Sequence, residues 1–183
     1  MRFRPGFAAG LMALGLASCA PAPMRDYAYP VWGFSASYPA PPKLTDTPAA
    51  ADGSSARTFV AETVSGGRDF GVSVNDATGS TKDIDALTDA LIPMMTKGFD
   101  AVAGAKAYAA TAEGALGREV LFSKNGRPYM DVRMFLANDR FYVVTASSNF
   151  GMDDPALKAF MASFRITGAE PSAANTASNA ATR

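Results

Sequence analysis

Histidine is absent from the 183-residue chain, and cysteine occurs once, as Cys19. Without histidine the protein has no Ser-His-Asp or Cys-His catalytic pair, no imidazole metal ligand and no imidazole switch near neutral pH. One cysteine cannot form an internal disulfide or the multi-thiolate site that structural zinc prefers. Any chemistry is therefore limited to carboxylate, lysine, arginine and hydroxyl groups, and the sequence predicts neither a cofactor nor a metal site.

An excess of charge of either sign is also missing, because 17 Lys and Arg residues balance 17 Asp and Glu residues. Nucleic-acid binding calls for a basic face, so this balance argues against a nucleic-acid partner. The length suits one domain, since domains commonly have about 100–200 residues. Hydrophobic residues at 48% and charged residues at 19% fit a globular core. We therefore expect a single globular domain.

The first residues have the pattern of a secretory signal. Arg2 and Arg4 form a positive start, and the run from Phe7 to Ala17 carries no charge. A run of this length fits a signal peptide and falls well short of the ~20 apolar residues that a membrane-spanning helix needs. The sequence therefore predicts a signal peptide over residues 1–18.

Leu16-Ala17-Ser18-Cys19 follows this apolar run and resembles the lipobox of bacterial lipoproteins. The resemblance implies cleavage before Cys19, a diacylglyceryl thioether on its sulfur, and an acyl chain such as palmitate on the new amine. The implied partner is thus the lipid bilayer, reached through the acylated cysteine. Ala20 stands where an aspartate is linked with inner-membrane retention in enterobacteria, so the resemblance favours the outer membrane, facing the periplasm. The alternative is an ordinary signal peptide with an incidental cysteine.

Segments that are unsuited to a core flank the predicted domain. Residues 19–30 contain several prolines, which disfavour a helix or a central strand, so we expect a tether between lipid and domain. Residues 167–183 have no large apolar side chain and are predicted to be a disordered tail. The folded domain is expected over residues 31–166. Loss of the two signal arginines leaves a slightly negative chain, which gives no reason to expect nucleic acid or anionic lipid headgroups as partners.

Inside the domain, hydrophobic periodicity predicts an α+β fold. Alternating apolar and polar residues predict strands over 34–39, 57–64, 69–75, 106–112, 117–123, 127–137 and 140–147. Three- and four-residue spacing predicts one helix from near residue 81–83 to Phe99 and another from Asp153 to Phe164. Residues 39–55 are predicted to be a loop. Tight turns join most strands, so we expect a mainly antiparallel sheet of about six or seven strands with two helices.

Three of these segments resemble a known family. They are Phe34-Ser-Ala-Ser-Tyr-Pro39, the long hairpin that runs from Tyr129 to Val144, and Phe160-Met-Ala-Ser-Phe164. Together they look like bacterial members of the PsbP-like superfamily. The resemblance implies an α/β/α sandwich around an antiparallel sheet over residues 31–166. It transfers no catalytic motif and no functional residue.

One face of the predicted sheet mixes charged and aromatic side chains. The tight turn between two strands predicts a register in which Arg118 lies opposite Arg133. Two opposed arginines repel each other unless an anion lies between them, so this face predicts an anion or carboxylate recess with tyrosine walls. The alternative is a structural network in which Asp131 neutralises both arginines. The candidate ligand-binding residues are Arg118, Tyr129, Asp131, Arg133 and Tyr142.

No residue set in the sequence matches a catalytic constellation, so no catalytic residue is assigned. We therefore expect a non-enzymatic envelope lipoprotein that binds a protein or a small ligand at the membrane surface. A structural or assembly subunit of an envelope complex, which would have an envelope protein as its partner, is one alternative. An enzyme or ion-binding protein that uses carboxylates or lysine is another.

Overall fold

The computed structural model describes residues 23–53, 55–78 and 83–168. The predicted signal peptide, Cys19 and the tail beyond Gly168 lie outside the described residues. The strands are β1 (Arg25–Tyr29), β2 (Phe34–Tyr38), β3 (Lys43–Thr47), β4 (Thr58–Ser65), β5 (Arg68–Asp76), β6 (Val102–Ala110), β7 (Leu116–Lys124), β8 (Arg127–Ala137), β9 (Arg140–Ser148) and β10 (Arg165–Ile166). The helices are α1 (Ile84–Phe99) and α2 (Pro155–Ser163), and a single 3₁₀ turn spans Pro30–Trp32.

Two antiparallel sheets and two helices build the domain. The large sheet has seven strands in the order β3-β4-β5-β9-β8-β7-β6, and the small sheet has the order β1-β2-β10. Helix α1 packs on β6, β7 and β8, whereas α2 packs on β2, β5 and β9. The predicted α+β class, with two helices and a mainly antiparallel sheet of six or seven strands, is confirmed. None of the described helices is long and apolar enough to cross a membrane.

Strand alternation divides the apolar side chains between two cores. Phe70, Val72 and other aromatic and aliphatic residues form the core that α2 and the small sheet cover. Val120, Phe122 and their neighbours form the core under α1. Because the helices cover opposite faces of the large sheet, alternate side chains of one strand reach two different environments.

Both helices begin where the sequence indicates. The Asp83 carboxylate accepts a hydrogen bond from the Asp85 backbone N–H at 2.9 Å and caps α1. The Asp154 carboxylate accepts one from the Ala156 N–H at 2.9 Å, and a proline occupies the first turn of α2. Each carboxylate thus accepts from a backbone N–H of the first turn, which has no hydrogen-bond partner within the helix.

The predicted tether is wrong over residues 25–30, because Arg25–Tyr29 forms β1 and Pro30 opens the 3₁₀ turn. Pro23 and Pro30 flank β1 and do not interrupt it, so the backbone N–H groups of β1 remain free to pair with β2. The Tyr29 ring stacks on Phe34, with centroids 4.7 Å apart. The folded domain therefore starts at or before Arg25 and not at residue 31.

The predicted loop over residues 39–55 is wrong at Lys43–Thr47, which forms the edge strand β3. All five of its side chains are exposed, so the strand has no buried face and no apolar alternation to reveal it. The two-residue strand β10 is too short for any pattern. Strand β6 begins at Val102, four residues before the predicted start, and is also mostly exposed.

Candidate functional site

The hairpin of β7 and β8 contains a one-residue shift that changes which side chains meet. Its turn is the predicted Asn125-Gly126, but the register moves from Ser123 opposite Pro128 to Phe122 opposite Met130. Tyr129 is thus the extra residue of a β-bulge. Consequently Glu119, and not Arg118, lies opposite Arg133, so the predicted pair of opposed arginines is wrong.

Arg118 lies on the other face of the sheet, beneath α1. Its Nε and Nη2 donate to the two carboxylate oxygens of Asp85 at 2.7 and 2.5 Å. Its guanidinium also stacks over the Tyr108 ring, 4.3 Å from the centroid. The Asp85 carboxylate raises the pKa of Arg118, which stays charged. Arg118 therefore fastens α1 to the sheet and takes no part in a site with Arg133.

The two predicted tyrosine walls are also placed elsewhere. Tyr142 is fully buried, and its hydroxyl donates to the backbone carbonyl of Trp32 at 3.2 Å. Tyr129 is half-buried against the core under α1, and the Lys124 ammonium lies 6.0 Å from its ring centroid. Of the five predicted residues, the structure brings only Asp131 and Arg133 into direct contact.

Asp131 and Arg133 belong to a cluster that Glu119 completes. The Arg133 Nε donates to Glu119 Oε1 at 2.8 Å, and its Nη2 lies 3.3 Å from Asp131 Oδ2. Asp131 is 7% exposed, and its Oδ1 has no hydrogen-bond partner among the described residues. One guanidinium thus serves two carboxylates, and one buried carboxylate oxygen remains unsatisfied.

This cluster opens into a recess of about 140 Å³ between β8 and α2, which we call the Asp131 recess. The side chains of Asp131 and Arg133 provide its polar groups, and Lys158 belongs to its lining. The Lys158 ammonium is held by Asp153, 2.9 Å away. The remaining lining is apolar and consists of Met152, Leu157, Met161 and Ala162.

Burial raises the pKa of Asp131 to about 7, with Arg133 opposing the rise and Glu119 adding to it. Near neutral pH the carboxyl therefore exists in both protonation states. When protonated, it can donate a hydrogen bond to the Glu119 carboxylate; when ionised, it can accept one from an N–H donor. The anion recess that the sequence predicts stays a prediction, although its two arginines lie on opposite faces of the sheet.

Glu119 is the site residue that the sequence analysis missed. Pro128 is the signal that could have revealed it, because proline has no N–H for the ladder. In a strand with neighbours on both sides, a proline is tolerated at a bulge. A bulge beside the turn shifts the register by one residue and replaces Arg118 by Glu119 opposite Arg133.

No protein-family model matches the sequence, and no curated protein sequence matches it. Among solved structures, the chain is similar to the solution structure of cyanobacterial PsbP (CyanoP) from Synechocystis sp. PCC 6803, with a TM-score of 0.53 and 10% sequence identity. The similarity covers 81% of this chain and 95% of that chain. At this identity the likeness concerns the fold, and it supports the PsbP-like α+β architecture that the sequence motifs imply.

Proposed function

We propose that the protein is a non-enzymatic lipoprotein of the bacterial cell envelope, anchored in the outer membrane through acylated Cys19 and facing the periplasm. The lipobox supports the anchor. The fold supports a short attachment, because β1 begins at Arg25 and Met24 already packs against the core. An anchored domain of this kind meets its partners at the membrane surface.

The observation that carries a binding function is the unsatisfied Asp131 Oδ1 at the Asp131 recess. A buried polar atom without a partner costs about 1–3 kcal/mol. A bound N–H donor or ammonium group would recover part of that cost and would also neutralise the excess carboxylate. The ligand class that fits best is a small amine or the amino group of a larger partner.

A titration with methylammonium chloride tests this binding. In NMR spectra of the full chain near neutral pH, we expect saturable shifts for residues around Asp131. The Asp131→Asn variant should lose these shifts, because its amide offers no charge. Arg118→Met, which alters the other face of the sheet, is the matched control and should keep them. If the wild-type chain shows no shifts, or if Asp131→Asn shows the same shifts as the wild-type chain, the cluster has a purely structural role.

Replacement of Cys19 by serine tests the anchor separately. The wild-type chain should incorporate radioactive palmitate and fractionate with the outer membrane. Cys19→Ser should lose the label and leave the membrane fraction, since a stable anchor needs its acyl chains. A variant that stays membrane-bound with unchanged labelling would contradict the anchor.

A structural or assembly subunit of an envelope complex is the second candidate. Its support is the open edge strand β6, where Val102 is 71% exposed and Tyr108 is 79% exposed. An exposed edge offers unpaired backbone groups to a strand of another protein. Crosslinking in intact membranes followed by purification distinguishes a subunit from a ligand-binding protein. A subunit would yield one stoichiometric partner, and the capture of that partner would not depend on Asp131.

A further inference from the structure

One end of the domain carries the beginning of the described chain. Arg25 pairs with Tyr38, and the Tyr38 ring contacts Phe160 of α2 with centroids 5.2 Å apart. Helix α2 starts beside the β4–β5 turn, where the Asp154 carboxylate binds Arg68 at 2.5 Å, and Phe164 after its last residue contacts Phe34 with centroids 6.1 Å apart, so the start of α2 points towards the Tyr38 end of β2. We call this the Pro23 end. It also includes the β7–β8 turn, the loop of residues 149–153 and the C-terminus of α1.

The Pro23 end exposes large apolar side chains. Phe150 is 73% exposed, Val64 is 72% exposed and Phe99 is 43% exposed. Val64 and Phe99 line one cleft, while Phe150 and Tyr129 line a wider one of about 600 Å³. Single exposed apolar residues are ordinary on protein surfaces, but several at one end of a domain give that end an amphipathic character.

Basic side chains interleave with these apolar groups. Lys97 lies in the last turn of α1, and Lys124 and Arg127 flank the β7–β8 turn. The Lys124 ammonium donates to the backbone carbonyl of Phe99 at 3.3 Å. Within the part of the chain that the structure describes, none of these three cations has an ion-pair partner; Asp100 lies three residues from Lys97, and Asp131 lies four residues from Arg127. Asp100, Asp153 and Asp154 lie at the same end, and Lys158 and Arg68 pair with the last two, so the three cations give this end a small excess of positive charge although the mature chain as a whole is slightly negative.

The position of Cys19 determines what this surface can meet. Three residues separate Cys19 from Pro23, so even a fully extended connection of four residue steps spans at most about 14 Å. We propose that the Pro23 end rests on the bilayer, with Phe150 and Phe99 at headgroup depth and the three cations against anionic phospholipid. This inference rests on the proposed lipid anchor. Charges act on a surface over a Debye length of about 10 Å, so the cations of this end act on the surface, while acids on the far side of the domain are screened.

Tryptophan fluorescence in vesicles tests this orientation. The only native tryptophan, Trp32, lies at the opposite end, where its ring contacts Arg140 near the β8–β9 turn. A Phe150→Trp reporter in the acylated full chain should be quenched by brominated phosphatidylcholine in vesicles that contain phosphatidylglycerol. A Val31→Trp reporter is the matched control, because Val31 is 72% exposed but lies beside Trp32. It should show no quenching beyond the wild-type chain.

The charge contribution has its own variant. Replacement of Lys97, Lys124 and Arg127 by glutamine should reduce quenching of the Phe150→Trp reporter to its level in vesicles of neutral lipid. Each basic residue near an anionic surface is worth a change of about fivefold in the equilibrium. If the Trp32 emission of this variant equals that of the wild-type chain, the fold is kept.

The outcomes separate the orientation from the anchor. If the chain is acylated but both reporters are quenched equally, or neither is, the orientation is overturned and the anchor stands. Absence of acyl groups on Cys19 would overturn both. If Phe150 is shielded from solvent in native membranes but the Phe150→Trp reporter is not quenched in vesicles, the lipid contact is overturned in favour of a protein partner.

Discussion

The stability of the fold should depend on pH through one side chain, Asp131. Burial and the neighbouring Glu119 raise its pKa to about 7, whereas an unfolded aspartate has a value near 3.8. Over the interval between these values the folded chain holds a proton that the unfolded chain releases. A group of this kind stabilises the fold fully below pH 3.8, and the stabilisation is lost as the pH rises towards 7.

The expected magnitude follows from the two pKa values. Their difference corresponds to about 4 kcal/mol in total, of which more than half falls between pH 5 and pH 8. No histidine is present, and Cys19 lies before the folded domain, so no other side chain has an ordinary pKa inside this interval. The window therefore reports on Asp131 and the Glu119 carboxylate coupled to it.

Urea unfolding followed by Trp32 fluorescence at several pH values measures this effect, because the Trp32 ring is buried and stacked on Phe59. The wild-type chain should lose stability as the pH rises from about 5 to 8. Asp131→Asn should show no such slope, since its amide resembles the protonated acid. Glu62→Gln, at an exposed position, is the control and should keep the slope. A flat wild-type profile, or a slope that persists in Asp131→Asn, would refute the reasoning.

Three further substitutions test the packing, and urea unfolding near neutral pH measures all of them. Phe160→Ala should cost about 3–5 kcal/mol, because the ring is fully buried; a loss below 1 kcal/mol would show a loosely packed core. Gly117→Ala should destabilise by about 1–3 kcal/mol, since a Cβ there would lie 2.1 Å from a backbone oxygen, whereas Gly98→Ala in open helical space should stabilise by up to about 1 kcal/mol. Equal changes in the free energy of unfolding for Gly117→Ala and Gly98→Ala would contradict the difference expected between the two positions. Asp154→Ala removes a helix cap and a partner of Arg68 and should cost about 1–2 kcal/mol, and an unchanged midpoint would show that neither contact matters.

The elements that the sequence predicts correctly are those with a buried face and a local signal. Helix α2 shows a capping aspartate, a following proline and a buried stripe, and the Asn125-Gly126 turn has residues that accept positive φ. Strand β3 shows no such signal, because its five side chains are all exposed. Its place at the sheet edge depends on pairing with β4, which is a tertiary contact.

The candidate site is harder to predict than the fold because it depends on register. A shift of one residue moves every side chain of a strand to the other face. The bulge at Tyr129 thus separates Arg118 from Arg133 and brings Glu119 in its place. The contact of Asp131 with Arg133 remains predictable, because both lie on one strand two residues apart.

The N-terminal modification is the feature on which the localisation, the attachment and the orientation all depend. Intact-mass spectrometry of the protein extracted from membranes measures it most directly. We expect the mass of a chain that begins at Cys19 with a diacylglyceryl group and an added acyl chain. The mass of a full-length chain, or of a cleaved chain without lipid, would contradict the lipid anchor.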